Sequence, residues 1–378
     1  MKLKHTKRYA FGILIIILAV LVAATIVEKI FGTDFAVNKI YGAWWFVALW
    51  CVFAIISFVH IIYSVLYRNK IIFLLHCALV AILLGAFVTF LTAKRGYMHI
   101  RQGEISDTYI SEENGTSHKL PFDVKLALFD IEYHPATYEP ADYISFLKIN
   151  SQICRVSMNR IYSHRGYRFC QMDYDTDEMG TTLMINHDPY GIAISYTGYF
   201  LLALSMLVIL IDKLRWRMLY IFVPLVCLWY SVSQLNPMTP ILRSPMFAVH
   251  ISVIMLSYAL FVFITATSII GLLSKRLCAK LYGWNQTLLY PALFMLAAGI
   301  FIGAVWANIS WGRYWGWDAK ETWALVTLLV YAIPMHKKSF LMFRDPVKFH
   351  TYCACAFFAV AFTFFGVSYF LGGIHSYV

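Results

Sequence analysis

Apolar residues gather into runs of about 18 or more near 10 to 27, 44 to 66, 71 to 93, 190 to 211, 217 to 234, 247 to 273, 287 to 306, 320 to 336 and 350 to 371. About 20 such residues, wound as a helix, span the hydrocarbon core of a bilayer, so each run predicts a membrane-crossing helix. Between the third and fourth runs the pattern changes. Residues 94 to 189 are polar on average, and the stretches from Val124, Tyr143 and Thr182 alternate apolar and polar positions between Gly, Pro and Asp turns. That period of two is the mark of half-buried strands. The prediction is an all-α polytopic membrane protein of about nine transmembrane helices, with a small β-rich external domain inserted between helices 3 and 4. Four parts follow along the chain: a three-helix membrane part over 1–93, the β-rich domain over 94–189, a fourth helix and link over 190–216, and a second membrane domain over 217–378.

Composition narrows the class. Of 378 residues 60% are hydrophobic and 13% charged, against about 45–50% and about 25% in soluble domains, which excludes a water-soluble globule. The formal net charge of +11 is explained by placement. With the N-terminus in the cytoplasm, the inside segments hold sixteen basic residues (for example Lys2, Lys4, Lys7 and Arg8, or Lys337, Lys338, Arg344 and Lys348). The short outside loops hold only Lys29, Lys39, Arg243 and Arg313, with Lys320 at a helix edge. The positive-inside rule then sets the C-terminus and the 94–189 domain outside. The basic excess is topological, and nucleic-acid binding falls away. The first run, about 18 residues long, reads as an uncleaved helix rather than a signal peptide. None of the eight cysteines lies in a Cys-x-x-Cys arrangement, so the chain is not itself a c-type cytochrome. Cys154 and Cys170 share the outside domain, where an oxidising compartment permits a disulfide.

One outside segment carries distinctive chemistry. Trp311, Trp315, Trp317 and Trp323 fall within thirteen residues, with Gly312, Gly316, Arg313, Asp318 and Lys320 among them. An interfacial aromatic belt explains the tryptophans alone. It does not require glycines between them, which permit close backbone approach, or charges that meet acidic groups. Indole faces, small residues and cations together suit a large planar molecule with carboxylates at its edge, and haem is such a molecule.

Trp311, Gly312, Trp315, Trp317, Asp318, Lys320, Glu321, Thr322 and Trp323 resemble the tryptophan-rich signature of the haem-handling proteins of cytochrome c maturation, and the ending Gly372, Gly373, Ile374, His375 is similar to that of their CcsA branch. Leu75, His76 and Cys77 through Gly85, the segment Gly166 to Asp175, and His187 with Asp188 and Pro189 resemble the partner CcsB or ResB type. The whole chain therefore resembles a fused CcsB and CcsA, the System II cytochrome c synthase, with a shorter outside domain and with Cys170 where an aromatic residue is usual.

Histidine placement adds to this. At 1.5 Å rise per residue, His76 sits roughly 8 Å into the third helix from the cytoplasmic side, level with His336 at the inner end of the eighth. His250 starts the sixth helix outside and His375 follows the ninth, level with the tryptophan segment. Two pairs at two depths suit two bis-imidazole haem positions. His60 is the rival, because the hairpin of helices 2 and 3 brings it level with His76. His350 reads as an interfacial residue beside Lys348, and His187 as a turn residue.

The resemblance implies haem b as bound cofactor and substrate, with iron ligands His76 and His336 inside and His250 and His375 outside, and with Trp311, Arg313, Trp315, Trp317 and Asp318 as the haem-handling surface. It implies a holocytochrome c synthase (haem-lyase) of the bacterial inner membrane, transporting haem outward and attaching it to Cys-x-x-Cys-His of apocytochrome c, whose own cysteines supply the nucleophiles. Partners would be apocytochrome c, thiol-reducing proteins of cytochrome c maturation and the lipid bilayer. Two alternatives stay open at this point: a haem transporter or chaperone without ligase activity, and a membrane b-type electron-transfer cytochrome.

Overall fold

The computed structural model describes residues 3–64, 68–135, 138–214, 217, 219–234 and 244–371, without side-chain detail at 3–5, 219, 221 and 222. Every apolar run described is helical. The longer helices are α1 (Leu3–Phe31), α2 (Trp44–Tyr63), α3 (Lys70–Thr92), α4 (Gly191–Leu214), α5 (Leu219–Ser233), α6 (Pro245–Leu273), α7 (Lys275–Ser310), α8 (Ala319–Ala332) and α9 (Pro346–Ala361), the last continuing as a π-helix over Phe362–Leu371, and a short helical turn over Thr33–Ala36 and Val37–Tyr41 joins α1 to α2. Among the described residues seven are long and apolar enough to cross a membrane, and the chain is a multi-pass membrane protein. The expectation of about nine exceeds this by α5 and α8. Helix α5 has 15 residues with Pro224 inside it, and α8 has 14. Helix α8 stops early because Pro334 has no N–H to continue the ladder, so the chain tightens into a 3-10 turn, Ile333–His336.

A second departure lies at α7. The sequence reading places Lys275, Arg276 and Lys280 in a loop; they form instead the first turns of a 36-residue helix. Straight-chain residues are good helix formers, and the Lys280 ammonium lies 5.4 Å from the centroid of Trp284. Only Ser274 separates α6 from α7, and the two helices pack along one another.

Between α3 and α4 runs an eight-stranded antiparallel sheet, in the order β5-β4-β3-β2-β1-β8-β7-β6. Its strands are β1 (Lys94–Arg101), β2 (Ile105–Ser111), β3 (Ser117–Tyr133), β4 (Pro140–Ile149), β5 (Gln152–Ser157), β6 (Tyr162–His164), β7 (Tyr167–Tyr174) and β8 (Gly180–His187). Val124 and Leu126 of β3, Leu147 of β4 and Phe169 of β7 are fully buried in its core, the inward half of the alternation. Strand β7 departs from that period. Phe169, Cys170 and Gln171 are all buried, and the inward amide is satisfied: Ser145 donates to Gln171 Oε1 at 2.7 Å, and Gln171 Nε2 donates to Thr181 Oγ1 at 2.8 Å. Cys154 and Cys170 are both free and buried. The disulfide that their shared compartment permits is not formed.

Candidate functional site

Asn69 caps α3 by accepting from the Ile72 amide, and one turn further on the helix carries His76. The 3-10 turn after α8 carries His336. The structure brings these two rings together, with centroids 6.1 Å apart and planes at 84°. Each ring is held by its own helix: Nδ1 of His76 donates to Ile72 O at 2.8 Å, and Nδ1 of His336 to Ala332 O at 3.0 Å. A neutral imidazole that donates through Nδ1 carries its lone pair on Nε2, so both rings are oriented as metal ligands are. Two imidazoles bound to one metal through bonds of about 2 Å have centroids roughly 6 Å apart, so the donor set and its spacing fit a bis-imidazole iron. Phe11 of α1 meets His336 edge-on at 5.4 Å. His60 is engaged elsewhere, its Nδ1 3.1 Å from Thr6 Oγ1. Lys337, beside the pair, donates to Gln286 Oε1 at 3.0 Å.

His250 sits on α6, where its Nδ1 donates to Gly299 O of α7 at 2.8 Å. Gly303 makes room for the ring, because a Cβ there would lie 2.6 Å from His250 Cε1. The imidazole lies near-parallel to Trp306 with centroids 6.5 Å apart, and Trp306 in turn meets Trp311 at 5.2 Å. This chain of rings joins His250 to the tryptophan segment. His375, its expected partner, lies outside the described residues.

The segment itself is a tight turn between α7 and α8. Trp311 caps α7, Gly312 takes φ +71° and Trp317 φ +58°. Asp318 starts α8, its Oδ1 accepting from the Lys320 amide at 2.8 Å, while Glu321 accepts from Gly316 N at 2.9 Å. Asp318 is thus a helix cap by geometry. Trp315 and Trp317 meet at 83°, so a flat partner that stacks on one meets the edge of the other; the segment is a corner rather than a single platform. One face of Trp317 is taken by Tyr41, stacked at 4.6 Å and 4°. The Trp315 indole N–H is buried with no hydrogen-bond partner among the described residues. Both cations named from sequence have protein partners: Arg313 lies 3.6 Å from Glu112, and Lys320 Nζ donates to Ser368 Oγ at 3.2 Å.

The β-sheet grips this turn through residues that sequence reasoning did not single out. Asn186 donates to Gly312 O. Arg168 of β7 donates to Asn308 Oδ1 at 2.8 Å and to Asn308 O. Asn159 Oδ1 accepts from Ser310 Oγ at 2.9 Å and from Trp306 Nε1 at 3.3 Å. From the membrane side, Tyr314 donates to Thr89 Oγ1 at 3.0 Å, and Thr89 donates to the buried Asp188 at 2.7 Å. The available signal was Asn186 inside β8, since Asn is depleted within strands. Cys170 lies beneath Gly312. Burial pushes its thiol up to about 12, and that of Cys154 to about 11, so both stay protonated and are poor nucleophiles. His350 is a correction: it is fully buried, with Nδ1 3.2 Å from Ser268 Oγ and Nε2 3.1 Å from Cys278 O, a satisfied core residue instead of an interfacial one. His187 ends β8 with its ring 4.4 Å from Tyr167.

Two family profiles match the chain. One, described as Cytochrome C assembly protein, covers residues 187–375, and the other, the ResB-like family, covers 67–212. Protein NrfI of Wolinella succinogenes is 33% identical over 156 residues, 38% of this chain and 17% of that protein. Cytochrome c biogenesis protein CcsA of Chlamydomonas reinhardtii is 34% identical over 158 residues, 39% of this chain and 44% of its own length. CcsA of Cyanophora paradoxa is 30% identical over 200 residues, 39% of this chain and 62% of its own length. The chain thus spans less than two thirds of each of these relatives.

Proposed function

Because the chain belongs to the cytochrome c assembly protein family, joined here to a ResB-like part as in a fused CcsB and CcsA, we propose that it is a haem-delivering cytochrome c synthase. The observation that carries this reading is the His76 and His336 pair, with ring centroids 6.1 Å apart and each Nδ1 tied to its own helix. Those two imidazoles would hold haem b near the cytoplasmic face. His250, with the turn of Trp311, Arg313, Trp315, Trp317 and Asp318, and with His375 following α9, would receive it outside. We assign the chain to a bacterial inner membrane, N-terminus inside, with the 94–189 domain and the C-terminus in the periplasm. The sixteen basic residues on one side support that orientation. Residues 1–93 and 190–216 would then form the CcsB-like membrane part and 217–378 the CcsA-like part.

The chemistry needs no nucleophile from this chain. Addition of each substrate Cys S–H across a haem vinyl group forms one C–S and one C–H bond with no net redox change. The protein contributes orientation, holding the porphyrin edge beside both thiols of an apocytochrome Cys-x-x-Cys-His, a proximity effect. Thiol-reducing proteins of the maturation system would keep those thiols available.

The test has two arms. Purified protein should carry b-type haem that His76→Ala or His336→Ala removes and His60→Ala does not. Expressed with an apocytochrome in a host lacking its own maturation system, the chain should yield cytochrome c with haem that survives denaturation. Haem lost in His60→Ala but kept in His336→Ala would transfer the site to the α2–α3 hairpin and support electron transfer. Bound haem without covalent product would leave transport alone.

A further inference from the structure

Residues 28–46, from the end of α1 into α2, lie outside the residues matched by either family profile, yet they touch the tryptophan turn directly. Tyr41 is 3% exposed and lies flat on Trp317, with centroids 4.6 Å apart and planes 4° from parallel. Phe46, fully buried, meets the same indole edge-on at 5.6 Å. Trp317 is also the bulky residue of the turn that adopts a left-handed backbone, φ +58°. In an L-residue with a large side chain that conformation is strained, and it persists only where the surroundings over-determine it. Within the turn, Glu321 fixes the backbone just before Trp317, at Gly316 N, and Asp318 the backbone just after it, at Lys320 N. The side chain of Trp317 meets Trp315 edge-on within the turn and Phe46 edge-on from outside it, while its face is covered by Tyr41.

We propose that Tyr41 is a positioning residue for haem attachment: its ring, stacked on Trp317, holds that indole in the strained conformation that gives the tryptophan turn its corner shape. This rests on the synthase reading above. The ring, and not the hydroxyl, does the holding, because among the described residues the Tyr41 hydroxyl is buried without a well-aligned hydrogen bond although Thr322 lies nearby. The anchorage beneath it is broad. Trp323 Nε1 donates to Thr25 Oγ1 of α1 at 3.2 Å, and Leu21, Ala24, Ala36 and Tyr41 share one buried cluster with Ala319 and Trp323. The segment that carries Tyr41 is therefore docked on α8 and presents its ring from a fixed base. An aromatic pair stacked in this way adds specific geometry to simple burial. Loss of one ring frees the other without removing a ligand of the haem.

The experiment compares Tyr41→Phe and Tyr41→Leu in the full chain, with Tyr41→Met in place of Leu should that variant fail to accumulate. Three quantities are read: covalent cytochrome c made in the maturation-deficient host, b-type haem in the purified protein, and the rate of trypsin cleavage after Arg313 in detergent. Tyr41→Phe should match the wild type in all three. Tyr41→Leu should keep the haem of the inner pair but lose roughly two- to tenfold in covalent product, and cleavage should quicken by a similar factor. A merely structural role would lower haem and product together. Tyr41→Leu with wild-type product and cleavage, or Tyr41→Phe as defective as Leu, would overturn the proposal. Wild-type protein that binds haem but makes no covalent product would sink the synthase reading by itself, and the cleavage rates would still decide whether Tyr41 holds the turn.

Discussion

Gly312→Ala tests the grip of the sheet on the tryptophan turn. Gly312 has φ +71°, where an L-side chain costs about 1–2 kcal/mol. A Cβ at that position would also lie 3.0 Å from Cys170 Sγ and 3.3 Å from Met184 Sδ, inside ordinary contact, and overpacking of this kind costs typically about 1–3 kcal/mol. The expected destabilisation is the sum, about 2–5 kcal/mol. The two contributions separate by a double-mutant cycle, because Cys170→Ala removes the sulfur that the new methyl meets but leaves the backbone penalty. Thermal unfolding in detergent of the wild type, both single variants and the double variant, with cytochrome c yield alongside, gives the four corners of the cycle. Gly312→Ala should lower the midpoint, and addition of Cys170→Ala should recover the part of the packing share, about 1–3 kcal/mol, that is due to Cys170, leaving the Met184 contact and the backbone penalty. A neutral Gly312→Ala, or strictly additive effects in the double variant, would refute the claim that β7 and the turn are in contact.

Three further outcomes are expected. Asp318→Ala should cost about 1 kcal/mol by loss of the cap, whereas Asp318→Asn, which caps equally well, should spare stability; product that falls in Asp318→Asn at normal abundance assigns the carboxylate a role on haem, and thermal midpoints with product yields decide it. Cys154 and Cys170 should resist iodoacetamide at pH 8 until the protein is denatured, since burial holds both thiols above their usual range near 9; their contribution to stability is present below about pH 9 and is lost as pH rises toward 11 to 12, and mass spectrometry of labelled peptides reads the protection. A reporter active only in the periplasm should work when fused after Val378, and activity confined to a cytoplasmic reporter there would remove the proposed orientation.

The parts of this structure legible in sequence are those set by a single strong period. Nine apolar runs each announce a helix, though among the described residues only seven are long and apolar enough to cross a membrane, and strands β3, β4 and β8 follow from alternation at Val124, Tyr143 and Thr182. Strand β7 was hidden because Gln171 turns inward on hydrogen bonds that no local pattern encodes. The length of α7 was hidden because Lys275, Arg276 and Lys280 read as a loop by charge while their helix propensity is high. Depth arithmetic placed His76 level with His336, and they meet at 6.1 Å. It also placed His60 level with His76, and the packing of α1 sets them apart in role by putting Thr6 on His60 and Phe11 on His336, the ring that meets His76. The grip of Asn159, Arg168 and Asn186 on the turn joins residues more than a hundred positions apart, and no reading of one strand at a time reaches that far.

Helix α8 and its 3-10 extension run from Asp318 to His336, and no described residue of α8 is exposed. At 1.5 Å per residue the two ends lie roughly 27 Å apart, close to the roughly 30 Å of hydrocarbon in a bilayer. A cargo passed from one end to the other in the proposed orientation therefore traverses nearly the whole electrical drop of the membrane. Porphyrin propionates are negative, the cytoplasmic side of an energised membrane is negative too, and each elementary charge moved outward gains about 2.3 kcal/mol per 100 mV. In the proposed orientation the membrane voltage would drive haem outward, and an ionophore that collapses it should slow filling of the outer site while leaving the inner pair loaded.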